Sequence, residues 1–129
     1  MNYPFTLDNL YAAMCKSEDK NRCKIIINNE FLLSVVYGRF FYSSPRIDVD
    51  NPKEYTAVEV ALLFHCNGEL FHCNGEKISG LINPRNVAGI KHRDWIKFFE
   101  NDDNSVASYV PVEQVVEMVN DIAVRNNSL

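Results

Sequence analysis

The sequence predicts an α+β domain: a mainly antiparallel sheet flanked by an N-terminal and a C-terminal helix. Apolar stripes at helical spacing stand near both ends of the 129-residue chain, and the runs between them read as strands. The connections between those strands are too short for parallel crossovers. The length suits one hydrophobic core, so residues 1–129 are read as a single domain. Hydrophobic residues make up 47% and charged residues 23%, which disfavours a disordered or collagen-like chain.

The first helix starts after Thr6, whose hydroxyl suits the N-cap. Leu7, Leu10, Tyr11 and Met14 follow at i, i+3, i+4 and i+7 as one apolar stripe. The polar run Lys16 to Asn21 ends it. Cys23 to Ile27, then Asn28-Asn29, then Glu30 to Tyr37 read as a hairpin, because asparagine tolerates the positive φ that tight turns demand. Gly38 interrupts the second strand and is expected to mark a bulge. Phe40, Phe41 and Tyr42 follow with apolar residues on both faces. One face should meet the core, and the other should be covered by a helix or a partner. Arg46 to Lys53, between Pro45 and Pro52, is loop.

Thr56 to Phe64 is the cleanest strand. Val58, Val60, Leu62 and Phe64 fall on one face, and Ala57, Glu59, Ala61 and Leu63 on the other. Residues 79–92 are irregular, Trp95 to Phe99 is a short strand or one helical turn, and Asn101 to Asn104 is a turn. Val106 to Val110 is the last strand. Pro111 then suits the first position of a helix, where its missing N–H costs nothing, and Glu113 suits the first turn. Val112, Val115, Val116, Val119, Ile122 and Ala123 form its apolar stripe.

The chain contains a tandem repeat. Leu63-Phe64-His65-Cys66-Asn67-Gly68-Glu69 is followed at once by the identical Leu70-Phe71-His72-Cys73-Asn74-Gly75-Glu76. Asn-Gly is a type I′ turn signal, so a turn at Asn67-Gly68 sets Cys66 opposite Glu69 and Phe64 opposite Phe71. The two cysteines then stand about 13 Å apart along the ladder at ~3.3 Å per residue, too far to share one ion. Their C-x6-C spacing also misses that of zinc knuckles. No metal is expected. The one arrangement that geometry leaves open is a His65–His72 pair completed by Glu59 or by a partner chain. A second turn at Asn74-Gly75 would complete a short three-stranded meander projecting from the sheet, a form of loop suited to contact.

Other chemistry is sparse. The five glycines lack the spacing of a phosphate loop, and no H-E-x-x-H, G-x-S-x-G or C-x-x-C occurs. Cys15, Cys23, Cys66 and Cys73 with His65, His72 and His92 leave a thiol- or metal-dependent enzyme as an alternative on composition alone. Residues 1–8 carry neither a basic nor an apolar leader region, so a cytoplasmic protein with free, mostly buried thiols is expected. No apolar run approaches a membrane span. The net charge of −4 disfavours direct coating of nucleic acid; Lys91-His92-Arg93 beside Trp95 reads better as a solvated turn before a buried ring. Between Lys97 and Arg125 every charged residue is acidic, and a one-signed surface steers a protein toward a basic partner.

Two stretches, Thr56 to Leu63 and Ser105 to Val116, resemble segments of small accessory proteins encoded by phages and prophages. The likeness spans eight and twelve residues, mostly a strand–proline–helix pattern. It implies a non-enzymatic protein, without cofactor, that binds and inhibits a host protein in the host cytoplasm. The inhibited proteins include defence nucleases such as CRISPR systems. An immunity-type, toxin-neutralising protein would share the same appearance. No catalytic residues are expected. The candidate partner-binding residues are His65, Asn67, Glu69, Phe71, His72, Asn74 and Glu76 of the repeat, and Glu100, Asp102 and Asp103 of the acidic stretch.

Overall fold

The computed structural model describes residues 4–66, 69–73, 95, 97–100 and 106–127, and the side chains of 4–63, 95, 97–99 and 106–123. The chain runs α1 (Leu7–Lys16), β1 (Arg22–Ile27), β2 (Phe31–Val36), a 3-10 turn (Pro52–Glu54), β3 (Ala57–Cys66), β4 (Glu69–Cys73), the four-residue α2 (Lys97–Glu100), β5 (Val106–Pro111) and α3 (Val112–Asn127). All pairings in the five-stranded sheet are antiparallel, so the structure is the expected α+β fold with a helix at each end.

Local chemistry explains the boundaries. Thr6 Oγ1 accepts from the Asn9 amide at 3.1 Å, and Asn9 Oδ1 accepts from the Thr6 amide at 2.9 Å, a reciprocal capping box. Asn28 and Asn29 both take positive φ, 53° and 60°, and the Glu30 amide donates to the Ile27 carbonyl. This is the predicted turn, with β2 starting at Phe31. Gly38 (φ 116°) closes β2 with a sharp turn where a bulge was expected. The bulge lies instead in β5. Val58 pairs with Val110 and Val60 with Ala107, so β5 spends an extra residue opposite Glu59, and Tyr109 there has φ 52°. Pro111 ends β5, one residue earlier than predicted for its role, and the helix opens at Val112.

Both long helices lie on one face of the sheet. Leu10 and Met14 of α1 and Val115, Met118, Val119 and Ile122 of α3 pack over Cys23, Ile25, Ile27, Leu33, Val35, Val58, Val60 and Leu62 in one core. Val116, expected in that core, is half-buried at its margin, and Met118 takes the buried position. Trp95 and Phe99 complete the core edge to face, with centroids 6.3 Å apart, and Trp95 Nε1 donates to Asp121 Oδ2 at 2.8 Å. Among the described residues no helix is long and apolar enough to cross a membrane.

β3 is the organising strand. One edge pairs with β2. The other is shared end to end, β5 beside Ala57–Ala61 and β4 beside Leu62–Cys66. The β3–β4 pair has the predicted register, Cys66 opposite Glu69 and Phe64 opposite Phe71. The repeat is nevertheless not a projecting tip along this part of its length. Phe71, His72 and Cys73 pair with Phe64, Leu63 and Leu62, which belong to the central strand and, for Leu62 to Phe64, also pair with β2. The expected second turn at Asn74-Gly75 lies outside the described residues.

Candidate functional site: the outer face of the sheet

The face turned away from the helices is built by the strand alternation. Register lines its residues into three rows. Arg22, Val36 and Glu59 form the first; Lys24, Ser34, Ala61 and Val106 the second; Ile26, Leu32 and Leu63 the third. Neither long helix lies over these rows, and the loop after β2 reaches the first of them, where Val36 is buried and Glu59 accepts from the Tyr42 amide. All of the row residues but Ile26, together with Phe41, line an open groove of about 360 Å³. Its lining is largely aliphatic with Ser34 and Glu59 included, and its β1 side carries Arg22 and Lys24.

Beside the groove stands a cluster of exposed rings. Phe40 is 72% exposed, Tyr42 47% and Tyr109 46%. Tyr42 and Tyr109 meet at 5.8 Å between centroids, tilted by 50°. The Arg46 guanidinium lies 4.6 Å above the Tyr42 ring and that of Arg39 4.7 Å above Phe40, geometry in which the negative ring face attracts the cation.

The backbone holds this cluster in place. The Tyr42 amide donates to Glu59 Oε1 at 3.0 Å, and the Tyr109 amide donates to the Tyr42 carbonyl at 3.1 Å. The β5 bulge therefore has a visible effect, since the left-handed Tyr109 stands against the 38–45 loop. That loop is pinned at both ends. The buried Ser43 hydroxyl accepts from the Gly38 amide and donates to the Pro45 carbonyl, both at 2.9 Å. The Ser44 amide donates to the Ala57 carbonyl, and Thr56 returns a bond to Ser44 at 2.8 Å. Asp48 Oδ1 accepts from Asn21 Nδ2 at 2.7 Å and from the Arg39 amide at 3.2 Å. These hydrogen bonds, led by the Arg39 amide, hold the Asp48 carboxyl below the usual carboxylate range.

The sequence-derived site residues fare unevenly. Register sets His72 opposite Leu63 and His65 opposite Leu70, while Cys73 stands opposite Leu62, well down the ladder from Cys66, as the hairpin predicts. The side chains of His65, Glu69, Phe71, His72 and Glu100, and all of Asn67, Asn74, Glu76, Asp102 and Asp103, lie outside what is described. Glu59, suggested as a third ligand for the histidines, is engaged with the Tyr42 amide. Among the described residues no three His, Cys, Asp or Glu side chains converge on a point where an ion would sit. Of the two cysteines whose side chains are described, Cys15 is exposed, whereas Cys23 is buried and burial pushes its thiol up to about 12, far from a nucleophile's range.

Sequence reasoning missed the ring cluster. It flagged 40–42 as needing a cover on one face, but did not connect Tyr42 to Tyr109 or to the arginines. The available signal was the arginines bracketing three consecutive aromatics, Arg39 and Arg46, immediately after a glycine that ends a strand. No protein-family model, curated protein or solved structure matches this chain.

Proposed function

We propose that the chain is a non-enzymatic protein-binding module that presents its outer sheet face and the rim of Phe40, Tyr42 and Tyr109 to a partner protein. The carrying observation is the ring cluster itself: three large rings left in water, of which Tyr42 and Tyr109 stand on backbone held by hydrogen bonds, Tyr42 to Glu59 and Tyr109 to Tyr42. Tyrosine and arginine are the residues that dominate binding hot spots, because they bury much area at low entropic cost and add directed polar contacts. Prior ordering of the loop reduces what a partner must immobilise. The resemblance of the β3 and β5–α3 segments to small phage accessory proteins supports a specific role. On this reading the partner is a host enzyme, such as a defence nuclease, inhibited by occlusion in the host cytoplasm.

The test is capture from host lysate with wild-type bait and with a Phe40→Ala/Tyr42→Ala/Tyr109→Ala bait of matched folding. A protein held by the first and lost by the second is then purified, and its binding and activity are measured against both. The proposal expects affinity to fall by at least about tenfold and inhibition to fall with it. A partner bound equally by both baits refutes this face as the site.

A further inference from the structure

We propose that the groove on the outer face takes an acidic segment of the partner carrying apolar anchor residues. This rests on the binding-module reading above and adds the chemistry of the ligand.

The argument is one of charge and floor. The chain carries a net charge of −4, yet Arg22 and Lys24 stand exposed along one side of the groove, and Arg46 stands over the neighbouring Tyr42. Among the described residues the single ion pair is Arg39 with Asp48 at 3.4 Å, so these three cations have no carboxylate partner there. Glu59 is the one carboxylate lining the groove, and it accepts the Tyr42 amide. An acidic protein whose groove carries Arg22 and Lys24 without a carboxylate partner among the described residues is complementary to an acidic ligand there, and repels basic ones.

The floor chooses between ligands bearing negative charge. Single-stranded nucleic acid also carries it, but binds by stacking bases on free aromatic faces. Here one face of Tyr42 and one of Phe40 lie under guanidiniums, and the chain's net charge of −4 opposes a polyanion more than it opposes a short acidic segment. The groove beside the cations is lined largely by aliphatic side chains, Leu32, Val36, Ala61, Leu63 and Val106, with Ser34 and Glu59 among them. Such a floor takes Leu, Ile or Phe side chains of a peptide, with Asp or Glu reaching the β1 edge.

The experiment is selection from a random dodecapeptide display library on the intact protein, followed by titration of the selected peptides. The expected result is enrichment of Asp and Glu together with Leu, Ile or Phe. Affinity should fall by about tenfold or more for Arg22→Glu/Lys24→Glu, and should weaken as salt rises. Both substituted residues are exposed, and circular dichroism checks that the variant is folded. Failure to select peptides, peptides without acidic bias, or equal binding to the variant overturns the proposal. So does oligo-dT binding that this variant abolishes when no acidic peptide binds. A partner lost by the aromatic triple variant but kept by Arg22→Glu/Lys24→Glu would retain the binding-module reading while rejecting this ligand chemistry.

Discussion

The carboxamide of Asn120 forms a two-point bond with the backbone of Phe5. Its Oδ1 accepts from the Phe5 amide at 2.7 Å, and its Nδ2 donates to the Phe5 carbonyl at 2.8 Å. A side chain of the last helix thus substitutes for a neighbouring strand, and ties the segment before α1 to α3. Phe5 itself is buried. Asn120→Ala should cost ~1–3 kcal/mol, because both backbone groups lose a partner in a partly buried place. Urea denaturation measures this, and amide exchange should show the loss concentrated in the N-terminal segment and α1.

Val119 and Val116 differ in burial although both belong to the sequence's apolar stripe. Val119→Asp should abolish folding, since a buried unpaired charge exceeds what a domain with ~5–15 kcal/mol of stability absorbs. Val116→Asp, at the half-buried margin, should leave a folded but weakened protein. Met118→Ala should cost ~2–5 kcal/mol through the cavity it leaves. Circular dichroism of the three variants orders them.

Gly38→Ala should destabilise by more than ~1 kcal/mol, because the residue holds φ 116° and has no room. An added Cβ would collide with Asn21 Nδ2 and stand 2.6 Å from Asp48 Oδ1. The same change should disturb the Asn21–Asp48 bond, visible as an upward shift of the Asp48 carboxyl in an NMR titration.

Asp48 also sets a pH dependence. Its folded-state pKa is depressed below the unfolded value, so its stabilising contribution is complete above the ordinary carboxylate range and is lost as pH falls through the folded value. Acid titration of wild type should therefore lose this contribution, and Asp48→Asn should be less stable at neutral pH with a shallower acid slope. Parallel slopes for the two proteins would refute it.

Cys15 should react with a thiol-alkylating reagent well before Cys23 in the native protein. One is exposed, and the other is buried with a raised thiol pKa. Peptide mapping after a timed reaction reads the order, and unfolding should abolish the difference.

Most of the scaffold was legible because it rests on local chemistry. Thr6 and Asn9 make a cap within one turn, Asn28-Asn29 make a hairpin, and Val58, Val60 and Leu62 alternate with half-buried neighbours. The candidate site was not. Tyr42 meets Tyr109 only because β5 pairs with β3 and bulges opposite Glu59, and no periodicity announces a contact between residues so distant in sequence. Gly38 was placed correctly as a break but given the wrong form, since a positive φ serves a bulge and a strand end equally well. Trp95 was read as a buried ring following a solvated basic turn, while its bond to Asp121 depends on where α3 packs.

The shared edge of β3 has an evolutionary consequence. Cys73 stands opposite Leu62 and Val106 opposite Ala61, so the chain leaves the sheet and rejoins it at adjacent places. The stretch from 74 to 105 thus begins and ends at one locus, like a cassette set into a finished frame. Within it Trp95 and Phe99 are buried in the core. Because the two ends are adjacent, added length between them costs little in closure entropy, ~0.6 kcal/mol for each doubling. Descendants of this sequence should accumulate insertions and deletions between β4 and β5, and keep the β5–α3 junction at fixed length.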